Sequence, residues 1–557
     1  MSNPQSAIRN PQFVVLGGGP AGLYCALLLK KANPAWEVEV IERNPPDVTY
    51  GWGVVFSDRT LSSFQRADYK SYTAITEQFV IWDAIDVRYR GEVIRCGGHV
   101  IAAIERRKLL NILQGRCAEL GVALSFGREI TDPAQLPECD LLIAADGVNS
   151  FVRQAYEAEF QPSIEMGRAK YIWLGADKAL DAFNFIFHET EHGLFQVHAY
   201  PFSGHMSTFI VECAEDVWLK AGLDKADETA SLEYCQRLLN ADLGGVPLLS
   251  NNSRWINFPT LKTRRWHTKI QNPKSKIQNR AVLLGDAAHT AHFSIGSGTK
   301  LAMEDAIALA EALEKHADIG MALDEYELER RPVVDTFQRA AHESQVYFET
   351  LKRYMVLPPM QFAFQLLTRS GRISYDDLHF RDAKFGDGID AWFAWNGKVE
   401  ALAEEHNLPA GLIERAPQPP RFAPSPLFTP FRLRDVAIHN RLAGVAHLQA
   451  RDLDGTPDVA PTAYALSQEF GLVVASNCAI SPDGRVTPYD CGMYREEHGA
   501  AWSEYVDYAH EQAGAKVGLQ LSHAGRRGAT EPRAWGLDRP LRVGGWPLVA
   551  AFARPYT

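Results

Sequence analysis

The sequence has little of what would place it outside the ordinary globular class. Its 557 residues hold only eight cysteines, at positions 25, 96, 117, 139, 213, 235, 478 and 491, with no Cys-x-x-Cys pair. Thiols scattered in this way predict neither a disulfide framework nor a zinc site, and they suit a reducing, cytoplasmic setting. No apolar run reaches the roughly 18–20 residues that a membrane span needs. The nearest, Phe13–Leu29, holds four glycines and lacks the basic start and small-residue cleavage site of a signal peptide. A surplus of basic charge is missing too. With 57 Lys and Arg against 68 Asp and Glu, the net charge is −11, which argues against a nucleic-acid partner, because phosphate binding needs a basic surface. What is present is a globular composition, 46% hydrophobic and 22% charged. At roughly 100–200 residues per domain the chain has room for about three or four.

The order of elements is informative. An apolar strand at Phe13–Leu16 runs into glycines, then an apolar helix at Ala21–Lys31, then a second strand at Glu37–Ile41. This β-α-β start favours a parallel sheet. Arg107–Leu120 has helical spacing, and Asp140–Ala145 reads as a further buried strand. From about 155 to 260 the pattern changes to period-two alternation, as in Phe183, Phe185 and Phe187, or Phe195, Val197 and Ala199. That predicts an inserted antiparallel sheet with one covered face. Helices are expected at Lys300–His316 and Asp324–Lys352, the second kinked at Pro332. Residues 376–424 read as a linker region, ending in the proline-rich Ala416–Pro430, after which a new β/α pattern begins. Asn272–Asn279 repeats the unit at Asn3–Asn10, which predicts a surface loop and a loose N-terminus. The same stretch, Lys262–Arg280, carries seven basic residues and no acid. A solvated face is the simpler reading of it, and a site for a phosphorylated substrate the alternative.

The chemistry-bearing motifs begin at Gly17-Gly18-Gly19-Pro20-Ala21-Gly22, which fits G-x-G-x-x-G between a strand and a helix. In that pattern Gly17 makes the tight turn, Gly19 lets a pyrophosphate approach the backbone, and Gly22 lets helix and strand pack closely. The helix start offers N–H groups and a positive dipole end to phosphates. Glu42, ending the second strand, is placed to accept from ribose hydroxyls. These features predict a dinucleotide site without deciding between FAD and NAD.

Two later motifs carry a family resemblance. Asp146-Gly147-Val148-Asn149-Ser150, with Arg153, follows an apolar strand. Gly285-Asp286-Ala287-Ala288-His289 follows the strand Ala281–Leu284, and Gly296-Ser297-Gly298 precedes a helix. In this the sequence resembles the single-component FAD-dependent aromatic hydroxylases, the group A flavoprotein monooxygenases, over about residues 13–375. The resemblance implies that Asp286 lies near the ribityl chain and that the helix start at Gly298 faces the flavin ring. It further implies that Asp146 and Gly147 touch both FAD and the pyridine nucleotide, and that Arg106, with Leu109 and Leu113, begins the helix beside the flavin. The runs Ala291–Lys300 and Tyr50–Ser57 resemble a narrower branch, the hydroxylases of salicyloyl-CoA or anthraniloyl-CoA, and are also similar to the tryptophan-derivative hydroxylases of violacein-type pathways.

The second half carries Leu427-Phe428-Thr429-Pro430-Phe431, Asn440-Arg441, Ser481-Pro482-Asp483-Gly484-Arg485 and Gln520-Leu521-Ser522-His523-Ala524-Gly525-Arg526. These resemble the start of an old yellow enzyme barrel, as in the 2-aminobenzoyl-CoA monooxygenase/reductase family, which fuses the same two modules. Of that family's FMN contacts only Gln520 carries over. The strand at Leu442–Ala450 departs from the family's flavin-facing run. Three barrel strands fit after the linker, at Leu442–Leu448, Leu472–Asn477 and Lys516–Leu521, where a closed barrel needs eight. The expectation is a truncated chain with a partial (β/α) barrel in 425–557, holding no FMN.

The fold class expected is thus α/β: a Rossmann-like FAD-binding module in 1–375 with the inserted sheet, and the partial barrel behind it. The resemblance implies that NAD(P)H reduces the FAD, that a flavin hydroperoxide forms with oxygen, and that it hydroxylates an electron-rich aromatic or aryl-CoA substrate. No catalytic base can be named from the sequence, with His198, His205 and His292 as the histidines to watch. A flavin-dependent oxidase or reductase without ring hydroxylation, and a non-catalytic FAD-binding partner subunit, stay open as alternatives.

Overall fold

Phe13, Val14, Val15 and Leu16 are all buried, as a strand covered on both faces requires. Strand Gln12–Leu16 sits inside a six-stranded sheet in the order His267–Lys269, Arg280–Leu283, Leu141–Ala144, Gln12–Leu16, Glu37–Glu42, Ala123–Phe126. Every pairing is parallel except that of the edge strand His267–Lys269. Helix Pro20–Ala32 buries ten consecutive residues, Pro20 to Leu29, because helices Arg106–Leu120 and Gly298–Lys315 both pack on it.

The computed structural model describes residues 10–49, 51–270, 280–405, 423–458, 461–532, 535 and 539–549. The repeated unit at Asn3–Asn10 and Asn272–Asn279 lies almost wholly outside the described residues, as does the first part of the proline-rich stretch, up to residue 422. The chain divides into two units, Met1–Phe385 and Gly386–Thr557.

The second sheet of the first unit runs Leu248–Leu249, Pro162–Ala176, Ser207–Ala214, Gly193–Pro201, Phe183–Thr190, Ile85–Tyr89, Glu92–Cys96, with Ile256–Thr263 also pairing along Pro162–Ala176. It differs in two ways from the purely antiparallel sheet expected within 155–260. A hairpin from 85–96 joins it, and Phe183–Thr190 pairs in parallel with Ile85–Tyr89. The hairpin turn places Arg90 and Gly91 both at positive φ, 52° and 78°, the backbone of a tight two-residue hairpin. Alternation shows which face a residue takes, but not which distant strand supplies the neighbour.

The two faces of this sheet differ in chemistry. Ile172, Leu174, Val197, Phe209 and Val211 point to one side, into an apolar core shared with Leu239 and Leu243 from the chain beyond. Tyr171, Trp173, His198, Tyr200, Ile210 and Glu212 take the other, as their register requires.

Residues 376–405, expected as linker, are instead largely helical, in helices Tyr375–Arg381 and Ala383–Glu405. Ser374 and Asp377 form a capping box that starts the first, and Leu378 is buried beneath it. In the second unit, strands Ala443–His447, Leu472–Ala479 and Lys516–Ser522 form a parallel sheet, with helices Pro461–Glu469 and Glu496–Tyr508 between them in sequence. This is a β-α-β-α-β segment of barrel type, built on Ala446, Val473, Ala475, Trp502 and Tyr505.

One buried charge group ties the first unit together. Asp68 is 1% exposed, caps helix Tyr69–Thr76 through the N–H of Ser71 at 3.0 Å, and accepts from Arg116 Nε and Nη2, each at 3.0 Å. Burial alone would raise its pKa, but Arg116 and Ser71 outweigh that and hold it at about 2, below the ordinary 3.8. Asp68 therefore adds stability above the unfolded value and loses it as the pH falls through the folded one. Asp68→Ala is expected to cost about 2–4 kcal/mol at neutral pH. The gap from wild type should shrink to about half near pH 3. Urea unfolding at pH 7, 4 and 3 checks both the size and the trend, and a gap that widens toward pH 3 contradicts this account.

Candidate active site

Parallel register aligns Leu16 with Ala144, and Ala144 with Leu283. The turns that follow these three strand ends, at Gly17, Asp146 and Asp286, are thereby brought to one edge of the sheet. That edge, at the carboxyl ends of the strands, is where α/β sheets of this kind bind ligands. Gly17 has φ +111°, and a Cβ there would lie 2.3 Å from the Ala145 carbonyl oxygen. A Cβ on Gly22 would lie 2.0 Å from the Gly17 carbonyl oxygen. Gly19, in contrast, faces open space, as do Gly147 and Gly298. Gly19 caps helix Pro20–Ala32 with Pro20 in its first turn, so the helix start is turned to that space.

The carboxyl groups differ in how they are held. Glu42 Oε2 accepts from the Gly18 N–H at 2.7 Å, and its Oε1 from the Asn44 N–H at 2.8 Å. Asp146 Oδ2 accepts from the Phe151 N–H at 2.7 Å, while Oδ1 is buried with no partner among the described residues. Burial pushes this carboxyl above its usual range, against the bonds from Ser150 and the backbone. Asp286 is exposed to solvent, yet protein surrounds it closely enough for desolvation to raise its pKa, with His289 and Arg106 pulling the other way. A group both exposed and desolvated stands at the bottom of a cleft. Arg106 shares that cleft: desolvation lowers its pKa, Asp286 opposes the shift, and its Nε donates to Thr49 Oγ1 at 3.1 Å.

Beneath the Asp286 turn lies a buried network that sequence reasoning missed. His289 Nε2 meets Asp305 Oδ2 at 2.7 Å, and Arg330 Nε donates to Asp305 Oδ1 at 2.8 Å. Burial would raise the Asp305 carboxyl, but His289 and Arg330 hold it below its usual value. The pairing fixes the Gly285–His289 turn to helix Gly298–Lys315 and to helix Ile319–Glu349. Arg153 adds a brace, donating to the Ala287 carbonyl at 2.8 Å.

The polar and aromatic face of the second sheet forms a wall. Phe293 packs at a tilt against Tyr171 with ring centres 4.7 Å apart, and Trp82 stacks against Tyr200 at 6.3 Å. Trp52 lies flat over Gly175, where a Cβ would meet the indole ring at 2.7 Å. The indole N–H groups of Trp52, Trp82 and Trp173 are buried without partners among the described residues. The wall adjoins the cleft: Tyr171, whose phenol burial raises, also feels the carboxylates of Glu212 and Asp286. Of the three histidines singled out, His205 is exposed, while His198 and His292 are buried in the wall. Glu212 was missed, although an acid within the apolar strand Ser207–Ala214 is a readable signal.

Two expectations fall elsewhere. Gln520 is exposed near the end of strand Lys516–Ser522 in the second unit. The basic run places Arg265, Lys269 and Arg280 around a cavity of about 590 Å³ at the sheet edge, where Asp324 and Glu327 face them. Two acids from helix Ile319–Glu349 thus face three basic residues of the run.

The cleft fits FAD. It offers an open helix start at Gly19 for a pyrophosphate and an accessible carboxylate at Asp286 for a polyol. A second open helix start stands at Gly298, and Asp146 Oδ1 and Ser297 Oγ are buried without partners.

Residues 11–341 match the family model described as FAD binding domain, and residues 426–538 the NADH:flavin oxidoreductase / NADH oxidase family. A salicyloyl-CoA 5-hydroxylase from a Streptomyces species is 41% identical over 452 residues, covering 79% of this chain and 80% of that protein. The 3-hydroxy-4-methyl-anthranilyl-[aryl-carrier protein] 5-monooxygenase of Streptosporangium sibiricum is 38% identical over 368 residues, covering 66% of this chain and 96% of its own. In fold, the chain resembles the tetrameric form of 2-methyl-3-hydroxypyridine-5-carboxylic acid oxygenase, with a TM-score of 0.52 at 19% identity, over 67% of this chain and 96% of that one. With the glycine turn, the Asp286 cleft and the aromatic wall in one unit, the chain belongs to the FAD-binding-domain family of FAD-dependent aromatic monooxygenases.

Proposed function

We propose that this chain hydroxylates the ring of an aryl thioester bearing an amino or hydroxyl group, such as anthraniloyl-CoA or salicyloyl-CoA. The observation that carries this reading is the aromatic wall beside Asp286, whose charge Tyr171 of the wall feels; such a wall suits a flat, electron-rich ring. The thioester follows from the two relatives, whose names specify aryl groups on CoA or a carrier protein. When bound, FAD supplies the passage of electrons from NAD(P)H to oxygen, by which one oxygen atom enters the ring and the other leaves as water. The chain's own residues do the rest. The helix start at Gly19 holds phosphate charge. Asp286 accepts hydrogen bonds from hydroxyl groups, while Arg106 lines the same cleft. The wall keeps water from the reacting centre, which limits unproductive loss of the reduced oxygen.

Three outcomes test this reading. Gly19→Val fills the space offered to the pyrophosphate and is expected to abolish flavin retention. Asp286→Ala should weaken FAD binding at least about tenfold, the loss of one charge-assisted hydrogen bond. Both should keep the wild-type circular dichroism, and full yellow colour in both would overturn the assignment of the cleft. Second, the purified protein with NAD(P)H should consume oxygen when anthraniloyl-CoA or salicyloyl-CoA is added, and should release a hydroxylated product in equal amount. Oxygen uptake without that product would instead mark an oxidase.

The third outcome concerns the flavin of the first unit. Extraction from the purified protein should yield FAD, one per chain, because the open helix start at Gly19 and the Asp286 cleft both lie in that unit. Flavin extracted without FAD would overturn the assignment.

A further inference from the structure

Glu212 and His198 are the anomaly of the wall. They are 1% and 2% exposed, and Glu212 Oε2 lies 3.4 Å from His198 Nε2. Both carboxyl oxygens and both ring nitrogens lack a hydrogen-bond partner among the described residues. Leaving such groups unmatched costs about 1–3 kcal/mol each, more for a charged group. Native proteins tolerate this rarely, and mostly where a ligand, water or catalytic role completes the set. The pair does not belong to the core behind the sheet. Glu212 stands directly opposite Tyr171 in one strand pairing and Gln196 in the other, and His198 opposite Phe185 and Ile210. All of these lie on the aromatic face. The His198 ring has Phe348 at 4.7 Å, Phe185 at 5.2 Å and Phe293 at 5.5 Å, so apolar rings surround it.

We propose that Glu212 and His198 recognise the hydroxyl or amino substituent of the aromatic substrate, the ring lying along the aromatic face and its O–H or N–H donating to an unpartnered acceptor of this pair. The inference rests on the function proposed above and adds the residues that choose the ring. Protonation supports it. Burial raises the Glu212 carboxyl above its usual range, and lowers His198 to about 3, with Arg369 adding to the second shift. The other groups facing Glu212 are His292, Gln196, Glu349 and Arg369, and none of them reverses the first shift. Burial thus works against charge on both groups, and the neutral imidazole beside the carboxyl offers acceptors that suit an uncharged hydroxyl or amine.

His292, close enough to feel both groups, is tied into a separate chain. Its Nδ1 meets Ser294 Oγ at 2.8 Å, Ser294 Oγ meets Ser344 Oγ at 2.8 Å, and Arg369 Nε donates to Ser344 Oγ at 2.8 Å. That chain uses its own donors and acceptors and takes none from Glu212 or His198; Gln196 comes close enough to lower the Glu212 carboxyl by a hydrogen bond, but not in the geometry of a well-formed one.

The test is a binding comparison on the flavin-loaded protein, read by quenching of tryptophan fluorescence. Two ligand pairs are titrated, salicyloyl-CoA against benzoyl-CoA and salicylate against benzoate. Wild type is expected to bind the hydroxylated member at least tenfold more tightly on one carrier or both. Glu212→Leu and His198→Leu should bring that ratio close to one, while changing the Kd of the unsubstituted member less than twofold. Glu212→Gln, which keeps an acceptor, should restore part of the preference. A merely structural role would weaken both members alike, and FAD content reports whether each variant folds. The proposal is overturned if wild type shows no preference on either carrier, or if both leucine variants keep it. A preference on the free acids with no binding of thioesters would sink the aryl-CoA reading and keep the pair. Thioester binding with no preference on either carrier would do the reverse.

Discussion

The structure depends on one close approach. The Gly17 turn, the first turn of helix Pro20–Ala32 and the end of strand Leu141–Ala144 meet so tightly that a single methyl at Gly17 or Gly22 would collide with backbone. Gly285 joins the same knot, since a Cβ there would come within 2.8 Å of Ala302 Cβ. Backbone cannot yield as a flexible side chain can, so these contacts fix where three strand ends stand relative to two helix starts. Parallel register then does the long-range work of placing Asp146 and Asp286 beside Gly19, across 127 and 267 residues of chain. The His289–Asp305–Arg330 network holds the last of these turns in place.

The second sheet solves a different problem. A sheet between a helical layer and a cofactor cleft needs one face that packs and one that receives. Period-two alternation provides both from the same strands, aliphatic on one side and aromatic on the other. Aromatic rings give the receiving face rigid area without charge, so it stays dry. Its unmatched polar atoms are then a cost in free energy that folding alone does not explain. Residues that break the local rules of a well-packed core are expected at functional sites.

The glycine fingerprint was legible because its constraint is local: turn, approach and packing fall within six residues. The Asp286 and Gly298 motifs were legible through their likeness to a family. Glu212 was not, because alternation marks a face while cross-strand register, set by chain far away, decides the neighbours. For the same reason the hairpin at Ile85–Cys96 was not placed in the sheet, although its turn residues mark it as a hairpin. The acids that face the basic run at Lys262–Arg280, Asp324 and Glu327, were not legible beside it, since they lie on a helix some fifty residues on. In 376–405 the sequence signals weaken and read as linker, yet capping at Ser374 and buried positions at Leu378, Phe385, Ile389 and Phe393 suffice for helices.

Tyr171 brings these strands of argument to one point. Its phenol senses two carboxyl groups, Asp286 on the cleft side and Glu212 on the wall side. Asp286 is accessible, with His289 and Arg106 nearby to offset its charge. Glu212 is dry, with a neutral imidazole for company. Two carboxyl groups in such unlike surroundings cannot serve alike. One suits a polar, hydroxyl-rich cofactor chain that brings its own solvation, the other a single substituent on an otherwise apolar ring. The division meets at Tyr171, which pairs across strands with Glu212 and still feels the charge of Asp286.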